Sequence, residues 1–532
     1  MMRWWQDAVF YQIYPRSFAD SNGDGIGDLK GIIGKLDYLA SLGVDALWIS
    51  PFFPSPQKDF GYDVSDYQGV DPAYGTLDDA KALFGEAHRR GIRIVLDLVV
   101  NHSSDEHPWF KAARASKEAP EHDWYIWRPL EGTKPNNWVC LFEQSSAWFP
   151  NPATGERYLC TFTPFQPEFN WRNPELRKAI YGVMGYWLDL GADGFRLDVA
   201  TAYIKDEGLR SNPFSPNLIP DLFQKHLYDR NRPEVHGIFR EMRAITGDDR
   251  VLIGETHGFA PELAAASYGE GDELHLNFNF DFMATTWSAR KLREAAERWY
   301  ALLPTGAWPV FTLSNHDQSR HAFRYRGRTG AETEGRAKIA AALLLTLRGS
   351  PFLYYGEEIA MGCERLPRAR LRDPLGIRTW PLGFLGRDPE RSPMQWDGSA
   401  TGGFTTGESW LPVNSDVATR NVAAQWRDPD SVLSRYRELI ALRRAHPALR
   451  EGELRFLDGP EGLLAYERCA GGETIIVVLN FASRARIVDI KAPGRVLLGE
   501  DGRDTLVHAG TLELGPLETL MILSSAGTDG RL

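Results

Sequence analysis

Cysteine is scarce in this chain: four residues in 532 (Cys140, Cys160, Cys363 and Cys469), none spaced as a CxxC pair. So low a count excludes a disulfide framework and a cysteine zinc site, and it fits a reducing compartment. Long apolar runs are missing as well, with no segment approaching the ~18 consecutive apolar residues of a membrane-spanning helix. The opening "MMRWWQDAVF" lacks the basic start, apolar run and small-residue cleavage site of an export signal. The expectation is a soluble, cytoplasmic protein with no membrane partner. Positive charge is also in deficit. Against 71 acidic residues stand 60 basic ones, a formal charge of -11, which argues against a phosphate-tracking surface and so against nucleic acid. A neutral or cationic partner suits that balance better.

Aromatic residues, by contrast, are plentiful, at 17 Trp, 19 Tyr and 27 Phe. Several stand beside polar, Gly-rich or Pro-rich turns, where a ring could stack on a sugar. A second theme repeats along the chain: a short apolar, β-branched run ends in polar residues, and a helical pattern follows. The runs are "AVFYQIYPRSF", "VDALWISPF", "IRIVLDLVVNH" and "ADGFRLDVAT", then "RVLIGET", "LHLNFNFDF", "PVFTLSNHD" and "SPFLYYGEEI". Between them lie amphipathic stretches such as "TLDDAKALFGEAHRRG" and "PELRKAIYGVMGYWLDLG", which open on Thr or Pro and close on Gly.

Eight strand-then-helix units predict an α/β fold of the (β/α)8 TIM-barrel type rather than an open sheet. The barrel spans residues 1–102 and 171–451, with a small domain inserted after the third strand at 103–170. From 452 to 532 short strands and turns such as "ETIIVVLNF" and "TLMILSS" predict a C-terminal antiparallel β-sandwich.

The run "ADGFRLDVAT" poses a physical question. Phe195, Leu197 and Val199 alternate as in a buried strand, yet Arg196 and Asp198 lie between them. Burying an arginine and a carboxylate costs several kcal/mol unless they pair or serve chemistry. A structural ion pair is one answer. The other comes from barrel geometry, which gathers the C-terminal strand ends on one site. Those ends carry Asp97, Asn101 and His102, then Arg196 and Asp198, then Glu255, and finally His316 and Asp317. So many titratable groups in one pocket point to catalysis.

At this point the chain resembles glycoside hydrolase family 13, the α-amylase superfamily. The resemblance rests on "DLVVNH", "GFRLDV", "IGET" and "SNHD" in that order, supported by "FQPEFN", "GVDALWISP" and "GSPFLYYGEEI". It implies Asp198 as nucleophile, Glu255 as general acid/base and Asp317 as the residue that grips the sugar and stabilises the transition state. Retaining glycoside hydrolysis needs one ionised and one protonated carboxyl flanking the anomeric carbon. Arg196 is expected to keep Asp198 ionised, and the apolar neighbours of Glu255 to raise its pKa.

The segment "QPEFN" resembles the "QPDLN" signature of the oligo-1,6-glucosidase and α-glucosidase branch, with Glu168 and Phe169 as departures and Gln166 retained. "GRDPERSPMQW" looks like the same branch. The resemblance then implies that Arg391, with Asp63 of "GYDV", binds the terminal glucose and enforces exo action. Tyr62, Phe142 and Phe162 are candidate pocket walls, with core packing as their alternative, and His102 and His316 are candidate sugar contacts. Val199, directly after the nucleophile, resembles the α-1,6-cleaving members.

The implied activity is a retaining exo-α-glucosidase acting on small α-glucosides or oligosaccharides. A sucrose- or trehalose-type isomerase or transglucosylase is the alternative within the family, and an idle carbohydrate-binding scaffold the alternative outside catalysis. Earlier in the chain, "DSNGDGIGD" places Asp20, Asn22, Asp24, the carbonyl of Ile26 and Asp28 at the alternating oxygen spacing of a calcium loop. One structural Ca2+ or Mg2+ is expected there, with an Asx-rich turn as the alternative.

Overall fold

Alternation with a period of two shapes the centre of the molecule. Eight short apolar runs form parallel strands: β1 Phe10–Ile13, β2 Ala46–Ile49, β3 Arg93–Leu98, β4 Gly194–Leu197, β5 Val251–Gly254, β6 Leu276–Asn277, β7 Val310–Thr312 and β8 Ser350–Tyr354. They pair in the order β6-β5-β4-β3-β2-β1-β8-β7, the circular order of a (β/α)8 barrel. Between β6 and β7 a phenol bridges the seam: the Tyr268 hydroxyl accepts from the Asn277 amide at 3.0 Å and donates to the Trp308 carbonyl at 2.9 Å. In this computed structural model residues 2–216, 223–256, 260–381, 386–491, 493–499 and 505–524 are described.

Inside the barrel, Phe10, Trp48, Val95, Ile253, Val310 and Phe352 belong to one buried cluster. Filled this way, the barrel is a packed core rather than a pore. Glycine is required where β4 begins. A Cβ on Gly194 (φ +156°) would stand 2.1 Å from the Val251 carbonyl oxygen on β5. The outer helices start as their sequences dictate. Thr76 caps Leu77–Arg89 reciprocally with Asp79, and Asn173 accepts the Glu175 and Leu176 amides ahead of Pro174–Asp189.

Two attachments leave the barrel. Between β3 and β4, Trp127–Pro129, Trp148–Asn151 and Glu156–Leu159 make a small antiparallel sheet. Beyond the last barrel helices, a six-stranded sheet faces the pair Arg486–Ile490 and Gly510–Leu514 across a core of Ile476, Val478, Val488, Leu514 and Ile522. That is a β-sandwich. Among the described residues no helix is long and apolar enough to cross a membrane.

Candidate active site

Register brings the charged residues together. Asp97 of β3 lies opposite Arg196 of β4, and Arg196 opposite Ile253 of β5. Side chains on one face recur every second residue, so the alternation that buries Val95 and Ile253 carries Asp97 and Glu255 to the barrel's C-terminal end. Arg196 is the hub. Its Nη1 donates to Asp97 Oδ1 at 2.7 Å and to Asp198 Oδ1 at 2.8 Å, while Nη2 donates to Glu255 Oε2. The indole of Trp48 supports the guanidinium carbon at 5.0 Å.

The chain leaves β4 in a sharp turn. Val199 adopts left-handed backbone, φ 36° and ψ 44°, an uncommon state for a β-branched residue. The turn aims the Val199 amide at Glu255 Oε2 (3.1 Å), and the Ala200 amide reaches the Glu255 carbonyl at 2.9 Å. One bend therefore lifts Asp198 out of the strand and fixes Glu255 beside it.

Arg196 does not serve Asp198 alone, as the sequence suggested. Burial pushes Asp198 well above the usual carboxylate range, Arg196 pulls it back, and the charges of Glu255, Asp97 and Asp317 add to the rise. Asp97 is likewise pushed up by burial, to about 6, against the pull of Arg196. One cation thus faces three carboxylates, and Asp97 and Asp198 each keep a proton more readily than either would in a simple pair with Arg196.

Asp317 is the contrast. Burial opposes its charge, but the His316 ring, with Nε2 3.3 Å from Asp317 Oδ2, and the guanidiniums of Arg391 and Arg387 hold it below the usual range. Arg391 Nη2 donates to Asp317 Oδ1 at 2.6 Å and its Nε to the His316 carbonyl at 2.9 Å. Burial keeps His316 neutral, pushing it well below its usual value. Its ring stacks on Tyr62 at 5.2 Å with Nε2 2.6 Å from the phenol oxygen. The Tyr62 hydroxyl donates to Asp97 Oδ2 (3.0 Å), so His316 Nε2 carries the proton and Nδ1 accepts from the Gln12 amide (2.8 Å).

Above the carboxylates opens a cavity of about 300 Å³. Asp198, Glu255 and Asp317 line it, together with Tyr62, His102, Gln166 and Val199, and Phe142 and Phe162 stand in its wall. Gln166 is fixed by bonds to Asp59 Oδ2 (3.0 Å) and the Tyr62 carbonyl (3.1 Å). His102, held neutral by burial, places Nε2 3.0 Å from that same carbonyl.

Four expected contacts lie behind the wall instead. Arg196 and His316 are buried beneath Asp198 and Tyr62. Asp63 turns back into its own loop, where it accepts from the Ser55 hydroxyl and the Lys58 and Asp59 amides. Arg391 backs Asp317. The cavity wall carries Asp59 and Arg387 in their place, each four residues earlier, joined at 2.7 Å. Arg387 is further held by Asp373, and it covers the Phe142 ring at 4.7 Å. Sequence reading missed both, although Arg387 stands in the quoted "GRDPERSPMQW" and Asp59 lies two residues ahead of "GYDV".

The "DSNGDGIGD" loop satisfies itself to a large degree. Asp20 accepts from the Asn22, Gly23 and Gly25 amides and the Thr405 hydroxyl. Asp28 accepts from Ser21 and Gly31, Asn22 from Asp24, and Asp24 from Ile26. Burial opposes the charge on Asp20, yet these bonds hold it below its usual range. Among the described residues no three His, Cys, Asp or Glu side chains are gathered to hold a metal ion. The all-oxygen donor set suits a hard cation chemically, but a cation would have to draw these side chains together.

The family model of the alpha-amylase catalytic domain matches residues 12–452. The chain belongs to this family of glycoside hydrolases, family 13. It is 42% identical over 499 residues to a probable alpha-glucosidase of Rhizobium meliloti, covering 91% of this chain and 90% of that protein. An oligo-1,6-glucosidase of Parageobacillus thermoglucosidasius is 40% identical over 524 residues, with 91% of each chain covered. Among solved structures, an alpha-glucosyl transfer enzyme, XgtA, superposes with a TM-score of 0.91 at 37% identity, covering 98% of this chain and 100% of that one. The trehalulose synthase MutB of Pseudomonas mesoacidophila MX-45 does so with a TM-score of 0.90 at 35% identity and the same coverage.

Proposed function

We propose that this glycoside hydrolase is a retaining, exo-acting α-glucosidase that releases terminal glucose from short oligosaccharides or α-glucosides through a covalent glucosyl-enzyme. The observation that carries the reading is the single guanidinium of Arg196, whose two terminal nitrogens hold Asp198 and Glu255. A shared guanidinium draws the two carboxylates toward each other, which suits the ~5 Å separation of retaining enzymes better than the ~6.5–9.5 Å of inverting ones. Asp198 attacks the anomeric carbon while Glu255 protonates the leaving oxygen. Glu255 then takes a proton from the water that releases glucose. Ionised Asp317, held by Arg391 and Arg387, grips the sugar and favours the positive charge that develops on it.

A sugar hydroxyl competes with water for the glucosyl-enzyme, so transglucosylation accompanies hydrolysis. Isomerisation is the second reading, and the likeness to trehalulose synthase favours it. Against it, "QSRHAFRYRG" follows Asp317 where isomaltulose synthases typically carry an arginine-rich "RLDRD". Product analysis on maltose, isomaltose, sucrose and trehalose separates the readings: glucose released with net retention supports hydrolysis, a rearranged disaccharide from sucrose supports isomerisation, and no turnover leaves a binding scaffold. We also propose that Ca2+ or Mg2+ supports the "DSNGDGIGD" loop through Asp20, Asn22, Asp24, the Ile26 carbonyl and Asp28, as a structural ion away from the chemistry.

A further inference from the structure

Glu390 is a buried carboxyl in the wall of the catalytic cavity, 3% exposed. Its backbone is rigidly held, since the Glu390 carbonyl accepts from Arg320 Nη2 at 3.0 Å and from the Tyr354 hydroxyl at 3.0 Å. Its side chain is not paired with a cation among the described residues. Every guanidinium nearby is engaged elsewhere. Arg391 is taken by Asp317 and the His316 carbonyl, Arg387 by Asp59 and Asp373, and Arg320 by the carbonyls of Tyr355 and Glu390. A structural carboxylate at such depth is ordinarily neutralised by a partner. Apart from a contact with its own backbone amide, Glu390 instead keeps its hydrogen-bonding capacity on the cavity wall it shares with Asp317 and Arg387, where the reading above seats the glucosyl unit.

We propose that Glu390 is a substrate-binding residue, whose carboxyl hydrogen-bonds a sugar hydroxyl in the cavity. The inference rests on the glucosidase reading of the same cavity and adds a contact to it. Burial raises Glu390 to about 8, with Arg391 and its own backbone amide opposing and the charges of Asp317 and Asp373 adding to the rise. The group is therefore protonated at neutral pH. The groups that face it from neighbouring segments are Asp317, Asp373, Arg387, Arg391, Arg320 and Cys363, whose thiol burial pushes up to about 12. As pH rises through 8, the carboxyl loses the proton it donates, and its new charge faces Asp317.

The test is steady-state kinetics on maltose and isomaltose from pH 6 to 9.5, with Glu390→Ala and Glu390→Gln beside the parent enzyme. The amide of glutamine donates and accepts without titrating. In the parent, KM should rise on the alkaline side while kcat changes less. Glu390→Gln should stay near the parent's neutral KM and lack that alkaline rise. Glu390→Ala should raise KM about tenfold at neutral pH, one lost neutral hydrogen bond. Parent-like KM in Glu390→Ala, or an undiminished alkaline rise in Glu390→Gln, overturns the proposal. Should Glu390→Ala fail to fold, the glutamine profile still decides. Should the parent turn over neither these sugars nor sucrose, trehalose or an aryl α-glucoside, the glucosidase reading fails, and calorimetry with glucose takes over: weaker glucose binding by Glu390→Ala supports the contact and equal binding refutes it.

Discussion

Arg387 reaches Asp59 at 2.7 Å across 328 positions of sequence, and both side chains line the catalytic cavity. The pair is charge-assisted, and Arg387 is additionally held by Asp373 and stands 3.5 Å from Asp317. A fixed fork of donors beside two carboxylates has the chemistry to meet sugar hydroxyls, and the proposed exo action assigns it the terminal glucose.

Exo action should therefore depend on Arg387. Replacing it with alanine removes hydrogen bonds made with a charged group and leaves Asp59 without its counterion. The expected loss in kcat/KM on maltose is about 2–4 kcal/mol. The parent should refuse maltooligosaccharides blocked at the non-reducing end. Efficient cleavage of internal bonds in blocked substrates would show an open cleft and sink this reading.

The roles of Asp198 and Glu255 separate on an activated substrate. Asp198→Asn should abolish turnover, because no other carboxylate takes its place as nucleophile. Glu255→Gln should lose about 10²–10⁴ in rate on maltose, the usual worth of acid/base assistance. It should still form glucosyl-enzyme from an aryl α-glucoside whose leaving group needs no proton. Proton NMR of the first product should show the α-anomer. Complete loss of both steps in Glu255→Gln, or initial release of the β-anomer, contradicts the assignment.

Much of this arrangement was legible in the sequence, and the reason is local. Strand alternation repeats within a few residues, so the runs ending in Asp97, Arg196, Glu255 and Asp317 show where polar groups collect at one end of a barrel. Direction inside a loop is another matter. Asp59 and Asp63 lie four apart, as do Arg387 and Arg391, and composition does not separate the members of either pair. Backbone geometry separates them. Asp63 is consumed by the amides of its own loop and thereby presents Asp59, while Arg391 is consumed by Asp317 and His316. The sharing of Arg196 among three carboxylates was hidden for the same reason, since Asp97, Asp198 and Glu255 meet only through strand register.

The acidic loop at Asp20 to Asp28 gives a prediction about stability. An ion that binds the folded chain alone stabilises it by mass action. Exhaustive chelation should lower the melting temperature and leave the rate at moderate temperature nearly unchanged, with added Ca2+ or Mg2+ restoring the loss. The loop has its own amides as partners, so the effect should be partial rather than a collapse of the fold. An unchanged melting curve, with no metal found by elemental analysis, would leave the loop a self-satisfied Asx turn.

Val199 carries the prediction about linkage. It lines the cavity directly after Asp198, and its left-handed backbone, through the 3.1 Å bond from its amide to Glu255, ties its position to that of the acid/base. A branched apolar side chain there crowds the direct approach of an α-1,4 aglycone. An α-1,6 link has one more rotatable bond and can bend past it. Isomaltose should therefore be cleaved appreciably, and Val199→Thr should move the preference toward maltose. Threonine keeps the branching at Cβ and hence the same backbone demands, so the hydroxyl is the main change and Glu255 stays in place. One such contact is worth only about 1–3 kcal/mol, which makes the shift a matter of degree. The measurement is the ratio of kcat/KM for isomaltose and maltose in parent and variant, with an aryl α-glucoside as control for the chemistry. If the ratio does not move while the aryl glucoside is hydrolysed normally, linkage is set by other aglycone contacts and not by Val199.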